Sequence, residues 1–393
     1  MLIAGEASGD TLAAQLVVAL RKQVLALESA PTDAVQPLRT QLAPTFFGAG
    51  GSKMAEAGVE LAFDMTRHAV VGIPSMRKYF ALRRLFRCLL ALAAERQPDV
   101  IIGVDYGGFN LRFGKAVKKY VRRHRTEFTP WNPKVVQYIS PQVWASRSGR
   151  AYVIADNYDL LLSIFPFEKP WYARRVPKLH VEFIGHPMLE RFQEVRGAIR
   201  AANANSPPQV LLLPGSRKSE LRRHLPVMLR ALELIRSQLP SVKAKMVLPD
   251  ESLVELAKLL GVNLEIQTGN LSQALQETDV AISKTGTVTM ECAYFGVPTV
   301  TLYKLSWPEY QYAKQIVTVK TVTMPNLLAG EEVFPEFIQH AATPKNISDA
   351  ALMLLKDDQL RTKVKRKLAQ VIALLGGPGA SQRAANAIVE LLP

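Results

Sequence analysis

Short apolar runs recur along the chain, each followed by a small-residue turn and a longer stretch with apolar positions three and four apart. Runs of the first kind read as strands and stretches of the second as helices. Residues 1–4 lead through Gly5-Glu-Ala-Ser-Gly-Asp10 into a helix running to Leu20. Pro44 to Gly51 is a strand with a glycine turn, followed by a helix over 52–57 and a strand over 59–63. A helix over 76–95 precedes a strand over 97–105, a basic helix over 111–123 and strands near 134–139, 160–168 and 180–187. Residues 188–208 end Ala201-Ala-Asn-Ala-Asn-Ser-Pro-Pro208, the composition of a linker. The rhythm then restarts: strand 209–213, helix 226–238, strands at 244–248 and 263–267, strand 280–283 with a helix ending near Gly296, and strand 297–303. Helical residues 347–371 and a last helix near 381–392 follow. Strand–helix alternation throughout implies parallel sheets covered on both faces, hence an α/β protein.

At 393 residues the chain is too long for one compact core, so two Rossmann-like domains are expected. The composition is ordinary and globular, 48% hydrophobic and 21% charged. Cys88 and Cys292 both fall in apolar helical contexts and read as reduced, buried thiols of a cytoplasmic protein. The opening run is broken at once by Gly5, Glu6 and Asp10, unlike a signal peptide. No stretch approaches the roughly 20 apolar residues that span a bilayer. The net charge of +15 calls for a polyanion, an anionic membrane surface or acidic small molecules as partner. Nucleic acid is disfavoured, because no known nucleic-acid motif interleaves aromatics with the basic residues.

The candidate chemistry gathers where strands end. Asp279-Val-Ala-Ile-Ser-Lys-Thr-Gly-Thr-Val-Thr-Met-Glu291 is a buried strand, a tight loop and a helix start. Thr285 or Thr287 can cap that helix, whose first amides then face an anion, and Glu291 can reach a pair of sugar hydroxyls. Leu213-Pro-Gly-Ser-Arg217 closes another strand. Asp105 ends a buried strand on the side where open α/β sheets bind ligands, and is placed to act as a base. Ser8 and Asp10 follow the first strand, where they serve either a ligand or simple capping. The helix over 76–95 carries Leu82, Leu85, Phe86, Leu89 and Leu90 in a stripe. Arg77, Lys78, Arg83, Arg84 and Arg87 crowd the remainder, so the helix suits anionic lipid, phosphorylated ligands or a solvated basic face. No metal-ligand spacing is present.

Taken together these segments resemble the lipid-A-disaccharide synthase family of two-domain (GT-B) glycosyltransferases. The matching stretches run in the family's order over nearly the whole chain. They are Ala4-Gly-Glu-Ala-Ser-Gly-Asp10, Gly48-Ala-Gly-Gly-Ser-Lys-Met54, Asp64 with Ala69-Val-Val-Gly-Ile73, and Asp105 with Phe109-Asn110. Beyond them come Ser140-Pro-Gln-Val-Trp-Ala145, Phe165-Pro-Phe-Glu168, Phe183-Ile-Gly-His-Pro187, Leu213-Pro-Gly-Ser-Arg217 with Ser219-Glu220, Thr285-Gly-Thr287 with Glu291, and Met324-Pro-Asn-Leu-Leu328.

The resemblance implies two Rossmann-like domains facing each other across a cleft. The boundaries are 1–190 for an acceptor and membrane-facing domain, 191–370 for a UDP-sugar domain, and a C-terminal helix over 371–393 that can pack back on the first. It implies inverting transfer of 2,3-diacylglucosamine from UDP to 2,3-diacylglucosamine 1-phosphate, giving the β-1,6-linked disaccharide 1-phosphate, with no cofactor and no metal. UDP falls to Gly215, Ser216, Arg217, Thr285, Gly286, Thr287, Glu291 and Asn326. The acceptor and an anionic inner-membrane surface fall to Ser8, Arg77, Arg83, Arg84 and Trp144, as expected for a cytoplasmic protein peripheral to that membrane. One departure bears on the base. The family's usual Asp-x-Pro-Asp-Phe-Asn is here Asp105-Tyr-Gly-Gly-Phe-Asn110, which leaves Asp105, Glu6 or Asp10 as base, or a chain that binds without turning over. A UDP-sugar 2-epimerase is the alternative enzyme on such a fold.

Overall fold

The computed structural model describes residues 1–28, 44–65, 76–193 and 207–392. The polar loop over 30–43, the segment Ala69 to Ile73 and most of the expected linker lie outside them, as does the side chain of Arg77.

The chain divides into two compact units, Met1–Glu190 with Gly377–Pro393, and Arg191–Gly376. The first unit contains β1 (Leu2–Ala4), α1 (Ala7–Glu28), β2 (Phe47–Gly50), α2 (Ser52–Glu56), β3 (Glu60–Asp64), α3 (Met76–Arg96), β4 (Val100–Val104) and α4 (Gly107–His124). It continues with β5 (Lys134–Tyr138), α5 (Arg150–Ala155), β6 (Leu160–Ser163), α6 (Glu168–Arg175), β7 (Val181–Phe183) and α7 (Met188–Arg191). The sheet runs β3-β2-β1-β4-β5-β6-β7, parallel throughout. Leu2, Ile3, Val136, Leu161 and Leu162 are wholly buried, as expected of strands covered on both faces.

The second unit repeats the plan with β8 (Gln209–Leu213), α8 (Lys218–Gln238), β9 (Lys243–Leu248), α9 (Val254–Leu259), β10 (Glu265–Thr268), α10 (Leu271–Gln276), β11 (Val280–Lys284) and α11 (Val288–Tyr294). β12 (Thr299–Tyr303), α12 (Trp307–Ile316), α13 (Met324–Ala329), β13 (Glu336–Ile338), α14 (Pro344–Lys356) and α15 (Asp358–Ala373) complete it. Its sheet runs β10-β9-β8-β11-β12-β13, again parallel. α16 (Ala380–Val389) belongs to the first unit: Ala380, Ala384, Ala385 and Ile388 are buried, and Arg383 donates to the Ile184 carbonyl at 2.7 Å.

In each sheet the strand order reverses once, between β1 and β4 and between β8 and β11. These are the switch points at which doubly wound sheets open a crevice beyond the strand ends.

Several elements differ from the sequence expectation. α8 begins at Lys218, eight residues before the Pro226 expected to open it. Pro226 is exposed, so the carbonyl that it leaves without an amide partner faces water. The helix expected over 347–371 is two, because Asp357 adopts an extended conformation and its carboxylate caps α15 through the Leu360 amide. Residues 188–191, expected in the linker, are helical, and Met188, Leu189 and Phe192 are buried. The second boundary falls at Gly376 rather than after 370, because α15 stays with the second unit. Cys88 is exposed while Cys292 is buried, because Cys88 lies on the arginine side of α3 and not on its apolar stripe.

Candidate active site

The first switch point is built by the turns after β1 and β4. β1 ends at Ala4, and a Cβ on Gly5 would stand 2.3 Å from the Tyr106 ring. Gly9, in the first turns of α1, lies under the Asp105 turn, with 3.9 Å from a Cβ there to that of Asp105. Asp105 and Tyr106 both adopt left-handed backbone, φ +48° and +44°. Two carboxamides hold this conformation, since the Asp105 carbonyl accepts from Asn110 Nδ2 at 2.9 Å and from Gln137 Nε2 at 2.9 Å. The turn places the Asp105 carboxyl at the end of β4. Burial raises its pKa, and a hydrogen bond from the Tyr106 backbone opposes the rise. A carboxylate held this way is a stronger base than one in water.

The two other candidate acids have different surroundings. The Asp10 carboxylate is buried and accepts from three amides around α2, Gly51 at 2.7 Å, Lys53 at 3.0 Å and Met54 at 3.2 Å. Capping of α2 takes three of its acceptor positions, which sets Asp10 apart from Asp105 as a candidate base. Glu6 is half-buried near Tyr106, whose phenol it helps to push up, second to burial. Ser8 is exposed in the first turn of α1.

Gly107 and Gly108 open α4, whose first charged residue is Arg112. A Cβ on Gly107 would meet Pro141 at 2.9 Å, whereas one on Gly108 meets nothing within 4 Å. Trp144, expected at the acceptor or membrane, is buried instead. Its indole Nε1–H donates to Glu168 at 3.0 Å. On α3 the apolar stripe packs inward, Phe86 lying edge-on to Phe109 and Phe113, and Arg83, Arg84 and Arg87 remain exposed.

The second switch point gathers the loops after β8 and β11. Gly215 has φ +127°, and a Cβ there would lie 2.4 Å from Glu220 Oε2, which already accepts from the Ser216 amide at 2.9 Å. Glu220 also meets Lys284 at 3.2 Å and Arg217 at 3.4 Å. Burial works to raise its pKa, but Lys284, the Ser216 amide and Arg217 outweigh it and the net shift is downward. His224, wholly buried, joins the segments that follow β8 and β12. Nδ1 lies 3.0 Å from the Pro214 carbonyl, and Nε2 accepts from the Lys304 amide at 3.1 Å, so the proton sits on Nδ1.

Thr287 makes no side-chain cap, and the Thr285 hydroxyl is buried without a partner; it is Thr289 that donates to Gly286, at 2.7 Å. Glu291 is largely buried, with Oε1 3.9 Å from Arg191 and Oε2 unpartnered. Burial raises its pKa, and Arg191 pulls the other way. Asn326 does not join this group. Its Nδ2 donates to the Phe334 carbonyl at 2.7 Å and to Glu336 at 2.8 Å, and its Oδ1 accepts from Val333 and Phe334 at 2.8 Å. Both hydrogens and both lone pairs are used, so nothing remains for a nucleotide, and the UDP expectation fails for Asn326.

The lipid-A-disaccharide synthetase family profile matches residues 1–390. The chain belongs to that family. Curated lipid-A-disaccharide synthases from Trichlorobacter lovleyi and Geobacter sulfurreducens are 36% and 34% identical to it, each alignment covering 100% of this chain and 97% of the relative. Membership makes this chain a glycosyltransferase of lipid A disaccharide synthesis. It also displaces the epimerase alternative, although epimerases share the fold. A UDP-GlcNAc 2-epimerase from Neisseria meningitidis bound to UDP-GlcNAc superposes with TM-score 0.62 at 12% identity, covering 99% of this chain and 98% of its own. MurG from Acinetobacter baumannii superposes with TM-score 0.53 at 17% identity, covering 99% of each chain. Among the described residues, no helix is long and apolar enough to cross a membrane.

Sequence reasoning passed over Gln137, Glu168, Lys284 and His224 as working residues. Of these only Gln137, in Val135-Val-Gln-Tyr-Ile139, is polar within an apolar run, and that contrast was the available signal.

Proposed function

We propose that this family member transfers 2,3-diacylglucosamine, with inversion, from its UDP conjugate to the 6-hydroxyl of 2,3-diacylglucosamine 1-phosphate. Asp105 takes the hydroxyl proton as the new O6–C1 bond forms. The bond from C1 to the β-phosphate oxygen breaks, and UDP leaves with the electron pair. Arg217, half-exposed beyond β8, and Lys284 at the end of β11 supply positive charge toward the diphosphate. The unpartnered oxygens of Glu291 and Thr285 suit ribose hydroxyls. The fold shared with a UDP-GlcNAc-bound epimerase supports a UDP-sugar in the second unit. The exposed arginines of α3 would keep the protein on the anionic membrane face where acylated substrates reside.

The observation that carries this reading is the Asp105 turn, a desolvated carboxyl at a switch point whose backbone two buried amides restrain. Turnover of the two acylated substrates by the unmodified chain, by Asp105→Asn and by Gly108→Asp tests it. Activity that drops about 1,000-fold or more in Asp105→Asn supports the base, in the middle of the range of general-base effects or above it. Negligible activity in the unmodified chain, restored by Gly108→Asp, would overturn it in favour of a chain that binds without catalysing.

A further inference from the structure

Glu168, at the start of α6, is a wholly buried carboxylate to which every contact is a donor. Trp144 Nε1 reaches Oε1 at 3.0 Å, the amides of Ile164 and Phe165 reach Oε2 at 3.3 and 3.1 Å, and the Ser140 hydroxyl bonds it as well. Ser140 also meets the Tyr172 hydroxyl at 3.3 Å. Two of these donors come from the loop after β5, at its second and sixth residues. Between them Pro141 lies where a Gly107 Cβ would approach within 2.9 Å. Gly107 is two residues beyond Asp105. A buried charge ringed by donors, two of them on one loop, fixes that loop far more tightly than apolar packing would.

We propose that Glu168 is a positioning residue for the Asp105 turn: its carboxylate ties down the loop after β5 through Ser140 and Trp144, and Pro141 on that loop braces Gly107. The proposal rests on Asp105 being the base, but the brace can be read without turnover. Burial raises the Glu168 pKa to about 7, against the pull of Trp144 and the other donors. The brace therefore changes character near neutrality. A protonated Glu168 must donate one hydrogen, and Ser140 is the neighbour able to accept it. The other titratable groups at this packing change charge elsewhere. Burial pushes the Tyr172 phenol up, and burial lowers His186, whose ring packs on Phe165, to about 4.

The test compares the unmodified protein with Glu168→Gln and Trp144→Phe. Glu168→Gln turns an NH2 toward donors, so amide hydrogen exchange over 104–110 should quicken while that over 214–220 stays unchanged. kcat should fall about 10-fold with KM for the UDP-sugar within about twofold, as expected when a reacting group is displaced by a fraction of an ångström. Trp144→Phe removes one donor and keeps a ring against Phe167, so it should move both readouts the same way by less. The tryptophan emission of the unmodified protein should titrate with a midpoint of about 7, and that titration should vanish in both variants. Unchanged exchange over 104–110 in both variants would overturn the brace. Should Glu168→Gln fail to fold, Trp144→Phe decides alone. Absent turnover in the unmodified chain would sink the functional reading, and the exchange data would still decide the brace.

Discussion

At the residue scale, two buried groups give opposite pH dependence. The folded-state pKa of Glu168 is raised to about 7, so the folded state holds its proton more firmly and stability falls as pH rises from about 4.5 to 7. His186 is lowered to about 4, so the folded state keeps it neutral; stability rises with pH between about 4 and 6.5 and is lost as pH falls through that window. Glu168→Gln removes the first effect alone. The stability of that variant relative to the unmodified protein should therefore climb between pH 4.5 and 7, by on the order of 3 kcal/mol, and level off above it. Chemical denaturation across that range checks the sign. A difference that declines with pH would refute it. Asn326 and Asp10 show why residue type was a poor guide to role: both look like ligands in sequence, and both spend their polar atoms on neighbouring backbone.

At the element scale, α4 and α3 are informative. Gly108 occupies the second position of α4 with open space around a Cβ. Gly108→Asp should stabilise the protein by about 0.5–1 kcal/mol, from lower backbone entropy in the unfolded chain and a negative charge in the first turn. Gly107→Pro should do the reverse although proline suits a first helical position. Its ring would press on Pro141, and the preceding Tyr106 is held in a left-handed conformation that a following proline disfavours. Thermal melts of the two variants should shift in opposite directions. For α3, the apolar stripe packs on the core, Phe86 against Phe109 and Phe113, so the membrane attachment proposed for this helix would run through its exposed basic side. Arg77, Arg83 and Arg84 replaced together by Ser should weaken sedimentation with anionic vesicles, and the difference should shrink as salt is raised. Equal sedimentation at low salt would remove the membrane role of this helix.

At the scale of the whole molecule, the chain returns to its first unit at its end. α16 packs on α1, and Ser381 donates to Glu190 through both its amide, at 3.0 Å, and its hydroxyl, at 3.1 Å. Removing residues 377–393 should destabilise the first unit by on the order of 4 kcal/mol, from the apolar area that α16 no longer buries, and leave the second unit's melting unchanged. Limited proteolysis would read this as early cleavage within 1–190, and equal protection of both units would contradict it.

The alternation of apolar runs and amphipathic stretches sufficed to fix the parallel sheets, because burying a strand on both faces forces a continuous apolar run. It also placed Asp105, Gly215 and Thr285 at strand ends, since the order of strand, turn and helix is local information. The break at Asp357 rests on a cap only three residues away, whereas the start of α8 and the burial of Trp144 were not legible, because each depends on partners distant in sequence or on which side of an element meets water. The same holds for the restraint on Asp105. Its carboxyl is named by the sequence, but its left-handed turn is held by Gln137, 32 residues away, and by Asn110 over β4. Local pattern decides which elements form. Only the folded sheet, by bringing β1, β4 and β5 side by side, decides which polar atoms are already satisfied and which are left for chemistry.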